Sequence, residues 1–204
     1  PVRSHRDWLL TCLAWHLPVL IEKQLGTVAD LPALRALCPT VPVMMGYQLR
    51  FHPALTALKA RVPRPTGGQF NVACDMAQWP GRGYGPILLE GSHELDTALF
   101  CGALRVVSQV DELTATRARF WLGEDWYIDL NGACAEYYLR SWMLHPSHDL
   151  PTRFHSPAAL GDHMYIDELA HFLRAVDGGP IAPGCTLAEG IAVLDVVRQV
   201  QEWA

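Results

Sequence analysis

Residues 19–47 read VLIEKQLGTVADLPALRALCPTVPVMMGY, and this stretch decides the fold. Two short apolar segments, Val19–Ile21 and Val41–Tyr47, flank a segment with helical character at Thr27–Leu37. Apolar runs bounded by turn residues are typical of strands that are buried on both faces of a parallel sheet. Thr27 and Asp30 have nearly the spacing of a capping box, which marks a helix start. The stretch therefore predicts a βαβ unit with a right-handed crossover.

The region before this unit extends the same pattern. Ser4–Leu17 is predicted to be a helix that Ser4 caps, and Pro18 ends it. A doubly wound sheet is the natural host for a βαβ unit, so we assign residues 1–52 to a partial Rossmann-like domain. Two strands do not complete such a sheet, and any further strands would have to precede Pro1.

Residues 53–204 are assigned to a second domain, because the pattern changes to one of mixed helices and strands. A short helix is expected at His52–Val62 and a further helix at Pro86–Phe100, with a strand at Gln69–Met76 between them. Two more helices, Asp162–Val176 and Thr186–Trp203, close the chain.

Four consecutive strands are predicted in the middle of this second domain. They are Arg105–Val110, Thr114–Leu122, Trp126–Leu130 and Glu136–Met143. Their regular spacing predicts an antiparallel meander, with Asn131-Gly132 as its best hairpin turn and a polar loop at His145–Ala159 after it. The fold class is therefore α/β followed by α+β, with an open and mainly antiparallel sheet flanked by helices.

Composition excludes several classes of protein. Half of the 204 residues are hydrophobic and 18% are charged, which excludes a disordered chain. A net charge of -5 argues against a nucleic-acid partner, and no segment resembles a membrane patch or a membrane span. The six cysteines stand singly with no CxxC pair, which favours reduced thiols and a cytoplasmic location.

Two groups of polar residues could carry chemistry. Lys23 follows a buried strand and Arg50 follows the next strand, so the two could meet in one crevice at the ends of the strands. Alternatively, Lys23 is an ordinary solvated residue and Arg50 a charge at a helix entry. His93 lies three residues before Asp96, on the same helix face, and is a candidate general acid or base with Asp96 or Glu90 to orient it. A structural role for His93 is the alternative.

No metal site is expected. The histidines between residues 145 and 163 (His145, His148, His155 and His163) have no familiar ligand spacing, so a solvated loop is the preferred interpretation. Gly81-x-Gly83-x-Gly85 lacks the G-x-G-x-x-G spacing of a dinucleotide-binding turn.

Taken in order, these segments resemble the NAD(P)-dependent oxidoreductases named for glucose–fructose oxidoreductase, inositol dehydrogenase and the rhizopine protein (Gfo/Idh/MocA). Residues 1–5 resemble the family's T-P-x-x-x-H turn without its Thr, and residues 19–24 its V-x-x-E-K-P motif. Residues 43–53 resemble V-G-Y-x-x-R-F-x-P, residues 88–96 the helix with S-H-E-[IL]-D, and residues 164–169 the M-Y-x-x-E-L helix. The resemblance covers the whole chain.

The resemblance implies a substrate and a set of roles. The substrate is a sugar, cyclitol or related polyol, and the active site lies between a Rossmann domain and a sheet domain. Lys23 would contact the substrate hydroxyl and the cofactor, and His93 would exchange the proton while a hydride moves to or from NAD or NADP. Glu22 would hold the cofactor, while Asp96 would fix the helix or His93. Gln48 and Arg50 would line the cofactor or substrate crevice, and the exposed sheet face would form a homo-oligomer.

Three departures from the family pattern matter. Gln24 replaces the proline of E-K-P, and Leu89 stands where the family often has an Asp, with Glu90 as the nearer substitute. The G-x-G-x-x-G turn does not occur. Pro1 thus aligns inside the nucleotide domain, and we expect a truncated chain that is inactive by itself. The alternative function is a non-catalytic carbohydrate-binding or oligomerisation domain.

Overall fold

The structure is a computed structural model that describes residues 2–76, 88, 91–134, 139–146, 152–156 and 163–203. The chain forms two compact units. Unit 1 comprises Pro1–His52 and Gly161–Asp195, and unit 2 comprises Pro53–Leu160 and Val196–Ala204. The chain divides after His52, and residues 161–195 lie in unit 1 together with residues 1–52.

The βαβ unit that the sequence predicts is present in unit 1. Helix α1 (Val2–Ala14) precedes strand β1 (Val19–Glu22), and helix α2 (Leu31–Arg35) leads to strand β2 (Val43–Gly46). The two strands are parallel, with Val19 opposite Val43. The predicted helix at residues 27–37 is shorter, because its first turn is a 3-10 helix; its capping box does form.

Unit 1 also contains an element that the sequence did not predict. Strand β9 (Cys185–Thr186) pairs with β2 in the antiparallel direction, which gives the order β1-β2-β9. Around it stand a short 3-10 helix (Gln48–Phe51), helix α5 (His163–Val176) and the first part of helix α6 (Leu187–Glu202). A strand of two residues is too short to show a periodic pattern of apolar residues. Strand β9 could therefore not be distinguished from the start of the predicted helix.

Unit 2 is built on a second sheet. Helices α3 (Pro53–Arg61) and α4 (Ser92–Cys101) accompany strands β3 (Gly67–Ala73), β4 (Val107–Leu113), β5 (Arg117–Leu122), β6 (Trp126–Asn131), β7 (Leu139–His145) and β8 (Thr152–Ser156). Among the described residues, these strands run in the order β4-β5-β6-β3-β7-β8. The predicted fold class, a small α/β part with a mainly antiparallel sheet and flanking helices, is confirmed.

The predicted four-strand meander is wrong at its last step. Strands β4, β5 and β6 are antiparallel neighbours, but β3 lies between β6 and β7. It is parallel to β6 and antiparallel to β7, so Phe70 lies opposite both Ile128 and Trp142. These aromatic and aliphatic side chains are fully buried, and burying them together outweighs the usual pairing of consecutive strands.

The predicted hairpin at Asn131-Gly132 is also wrong. The Asn131 carbonyl accepts a hydrogen bond from the Cys74 amide, and the Gly132 carbonyl accepts one from Met76. The chain therefore continues beside β3 after β6 instead of turning back. A local turn signal competes here with backbone pairing to an earlier strand, and the pairing prevails.

The region predicted to be a polar loop, residues 145–159, contains strand β8. This strand pairs with β7 and stands at the edge of the sheet. Its sequence, TRFHS, is polar, and polar residues are common in edge strands because they discourage pairing with other chains. Polarity alone therefore gave a misleading signal.

The two faces of the sheet differ in polarity. Along β5, Ala118, Phe120 and Leu122 are buried, while Arg117, Arg119 and Trp121 alternate with them on the other face. Strand β5 therefore presents one apolar face and one mainly polar face. No helix in the described part of the chain is long and apolar enough to cross a membrane.

Gly91, which precedes α4, gives a test of the packing in unit 2. A Cβ atom at this position would lie 2.5 Å from Cδ1 of Leu130 on β6. We expect Gly91→Ala to lower the free energy of unfolding by about 1–3 kcal/mol, because α4 must move off the sheet. Urea denaturation measures this change. Leu130→Ala in the same chain should relieve the overlap, so additive effects in the double variant would contradict the packing argument.

Candidate active site

The polar residues of unit 1 gather where β1 and β2 end. Glu22 lies opposite Gly46 in the parallel register, so Lys23 and Tyr47 follow at the same edge. Glu22 is exposed and Lys23 is half-buried. Open α/β sheets bind ligands at the carboxyl ends of their strands. Glu22 and Lys23 are thus brought to an edge where a small molecule could be held.

The turn after Lys23 is held from α1. The Nδ1 atom of His5 lies 2.8 Å from the Gln24 carbonyl oxygen, which can only accept, so His5 donates. The Lys23–Gln24 peptide bond is cis. The family-like His at the start of the chain therefore fixes the backbone directly after Lys23.

Gln48 links the end of β2 to α5. It is buried, and its amide nitrogen lies 3.0 Å from the hydroxyl oxygen of Tyr165. Tyr165 is half exposed. Sequence reasoning predicted Gln48 but did not assign a function to Tyr165, whose only signal was its place in the M-Y-x-x-E-L stretch.

Arg50 is held inside unit 1. Its Nη1 atom donates to Oε1 of Glu189 at 3.0 Å and lies 3.4 Å from the carbonyl oxygens of Pro183 and Gly184. Only 3% of the residue is exposed. The guanidinium thus ties the turn after β2 to the segment that enters α6. Its predicted contact with a cofactor stays a prediction beside this structural role.

Glu189 is a residue that sequence reasoning missed. Its carboxylate accepts hydrogen bonds from the amide and hydroxyl of Thr186, both at 2.8 Å. Burial alone would raise the pKa of Glu189, but the hydrogen bonds from Thr186 and the charge of Arg50 outweigh it, and the pKa is lowered. The T-x-x-E spacing of a capping box at residues 186–189 was the signal that could have revealed this carboxylate.

The polar residues of unit 2 gather at the start of α4. Both predicted residues there are buried, His93 with 6% of its surface exposed and Asp96 with none. The hydroxyl of Thr97 donates to the His93 carbonyl oxygen at 2.7 Å. Glu90, the other predicted carboxylate, lies outside the described residues.

Two further charged residues were not predicted for this site. Glu94 on α4 and Arg140 on β7 form a buried ion pair with 2.5 Å between Oε1 and Nε. Cys74 lies close to them at the end of β3. Burial, with a further contribution from the charge of Glu94, raises the pKa of the Cys74 thiol to about 11, so the thiol is protonated at neutral pH.

A cleft of about 450 Å³ in unit 1 touches the Glu189 group, because Thr186 lines it together with residues such as Leu37, Val43 and Ile191. None of the predicted site residues lines this cleft. No three His, Cys, Asp or Glu side chains in the described ranges are grouped as metal ligands would be.

The Glu189 carboxylate gives a prediction for the dependence of stability on pH. Because its folded pKa lies below the ordinary value of 4.5, ionised Glu189 stabilises the fold above that pH, and the effect is lost as the pH falls through the folded value. Glu189→Gln should therefore lower the melting temperature at pH 7, and this deficit should shrink progressively as the pH falls below 4.5. Glu202→Gln, at an exposed ion pair, is the control. An equal deficit for Glu189→Gln at every pH would contradict the assignment.

Comparison with known proteins identifies the fold. No family model matches the sequence, and no curated protein matches it. A solved myo-inositol dehydrogenase from Corynebacterium glutamicum matches this chain with a TM-score of 0.75 and 18% identity. The match covers 100% of this chain and 75% of that one. A putative myo-inositol dehydrogenase from Sinorhizobium meliloti matches with a TM-score of 0.78 and 18% identity, over 100% of this chain and 78% of that one.

A third solved structure carries ligands. The scyllo-inositol dehydrogenase from Lactobacillus casei, with bound NAD(H) and scyllo-inositol, has a TM-score of 0.75 and 13% identity. The match covers 99% of this chain and 75% of that one. At these identities the likeness establishes a shared fold, and it extends over both units of the chain.

Proposed function

We propose that this chain is the C-terminal portion of a Gfo/Idh/MocA-type oxidoreductase, which moves a hydride between NAD or NADP and a sugar, cyclitol or related polyol. The observation that carries the proposal is the likeness of the whole chain to solved inositol dehydrogenases. The sequence motifs support it independently. The E-K pair stands at the carboxyl end of β1, and the S-H-E-L-D motif begins α4.

The residues of unit 1 suit one end of a dinucleotide. Glu22 is exposed at the end of β1, where a carboxylate can accept hydrogen bonds from sugar hydroxyls, and Lys23 and Gln48 offer donors at the same edge. No G-x-G-x-x-G turn occurs in the 204 residues. The chain therefore supplies groups for the ribose and nicotinamide end but not the turn that cradles the pyrophosphate.

The proposed reaction, the oxidation of an alcohol to a carbonyl, depends on the protons that Lys23 and His93 can donate or accept. When bound, NAD or NADP would supply the hydride acceptor for the alcohol carbon. The Lys23 ammonium would donate a hydrogen bond to the reacting oxygen and stabilise negative charge on it. His93 would take the hydroxyl proton, so that the alcohol loses a hydride and a proton and becomes a carbonyl. Asp96 and Glu90 are the carboxylates available to orient His93.

The absence of a pyrophosphate-binding turn leads to a binding prediction. We expect the 204-residue chain to show no saturable binding of NADH, because a helix terminus with free amide donors supplies most of the affinity for the pyrophosphate. Fluorescence titration with NADH measures this directly. A saturable enhancement of NADH fluorescence at micromolar concentrations would contradict this prediction.

A second prediction concerns the catalytic residues. If the DNA before Pro1 encodes an in-frame G-x-G-x-x-G turn, the protein made from the whole reading frame should reduce NAD or NADP with a polyol. Lys23→Met and His93→Gln should each lower kcat/KM by about 100-fold or more, with small changes in melting temperature. His163→Gln, at an exposed histidine, should retain activity. Retained turnover in both site variants would remove Lys23 and His93 from the mechanism.

A second candidate function is an assembly domain that has no catalytic role. The observation in its favour is an aromatic pair on the polar face of the larger sheet, with Trp121 and Tyr127 ring centroids 4.8 Å apart. Large aromatic side chains are enriched at interfaces. Beside the two rings, the Arg117 guanidinium forms an ion pair with the Asp129 carboxylate at 3.1 Å. Burial raises the pKa of Asp129, and the positive charge of Arg117 only partly offsets this rise.

Oligomeric state tests this candidate. If the polar sheet face joins two copies, light scattering after size exclusion should give the mass of a dimer, and Trp121→Glu should give a monomer. Trp203→Glu changes an exposed tryptophan outside the sheet and should leave the dimer intact. An equal mass for the parent chain and both variants would argue against this face as the interface.

A further inference from the structure

Helix α4 places a charged residue among positions that are otherwise small or apolar. Gly91, Leu95 and Ala98 follow the helical spacing that faces the sheet, and all are buried. Glu94 lies between them in sequence with none of its surface exposed. Its partner Arg140 is only 4% exposed. A full ion pair is therefore enclosed between α4 and the sheet of unit 2.

Such a pair is a poor source of net stability. Removing two charges from water costs about as much as their attraction returns, and apolar residues of similar volume often stabilise a protein equally well. A short hydrogen bond between charged groups does, however, have a strong directional preference. The 2.5 Å contact between Glu94 Oε1 and Arg140 Nε is of this kind.

Arg140 is itself held firmly in place. It lies on β7 opposite Val72 of β3 on one side and Ser156 of β8 on the other. The backbone that carries its guanidinium is thus held by a strand that pairs along both edges, and the buried side chain starts from a fixed point. A helix turns by about 100° per residue, so any rotation of α4 that separates Glu94 from Arg140 turns the neighbouring His93 through the same angle.

We propose that Glu94 and Arg140 are a positioning pair that sets the rotation of α4 on the sheet and thereby the direction of the His93 imidazole. The importance of that direction rests on the proposed function, in which His93 exchanges a proton with the substrate. Burial raises the pKa of the nearby Cys74 thiol, which indicates a poorly solvated surrounding, and an ionised Glu94 there needs an opposite charge beside it. Arg140 then provides the compensating charge.

Carbon–proton NMR of the histidine Cε1–Hε1 groups in the 204-residue chain tests the pair, with His93→Gln to assign the signal. In Glu94→Met/Arg140→Met, we expect a melting temperature within about 5 °C of the parent chain, because apolar packing replaces the pair. The His93 signal should nevertheless move, and its titration midpoint should change by about half a pH unit or more. Because the double variant also removes two charges near His93, the charge-conserving variant Arg140→Lys separates positioning from electrostatics, and a role in stability alone would leave its His93 signal where it was.

A matched control and a conservative variant complete the test. Arg198→Met/Glu202→Met removes an exposed ion pair on α6 and should leave the His93 signal unchanged. Arg140→Lys keeps the charge but loses the fixed geometry of the guanidinium, so it should also displace the signal, and it decides the matter if the double variant does not fold. An unmoved His93 signal in Arg140→Lys, or in the folded double variant, would overturn the proposal. No cofactor is needed, so this result is independent of NADH binding or turnover.

Discussion

The parallel register of β1 against β2 is the constraint on which the rest of unit 1 depends. Because Glu22 lies opposite Gly46, the residues that follow each strand must emerge at one edge. Two side-chain contacts then hold the turns that follow these strands. His5 binds the carbonyl of Gln24 after β1, and Arg50 binds Glu189 after β2. Backbone pairing thus brings the polar residues to the edge, and side-chain hydrogen bonds hold the turns that carry them.

In unit 2 the polar residues are held by burial on a helix rather than at the ends of strands. There the helix start is enclosed, and His93, Glu94 and Asp96 are all buried on α4. Burial of so many polar groups requires partners of fixed geometry, which the strand-borne Arg140 provides for Glu94. Unit 1 thus presents an exposed carboxylate and a half-buried lysine, and unit 2 contains an enclosed histidine.

The features that the sequence could predict are those with a local signal. Val19–Ile21 and Val41–Tyr47 are apolar runs of strand length, and the βαβ unit they predict is present. The insertion of β3 between β6 and β7 could not be predicted, because it depends on pairing between distant residues. The pair of Glu94 with Arg140 depends on the same register and had no signal of its own. Lys23 and His93 were found by motif, and their roles stay predictions.

The position of β3 also determines when the protein can fold. Phe70 lies opposite Ile128 and Trp142, and the strands that carry these two residues are synthesised after β3. Unit 1 has the same dependence, since residues 1–52 are completed by residues 161–195. Contacts of such long range form slowly and leave apolar strands uncovered on the ribosome. Strand β3 therefore stays without the neighbours on its two edges until both β6 and β7 have been synthesised.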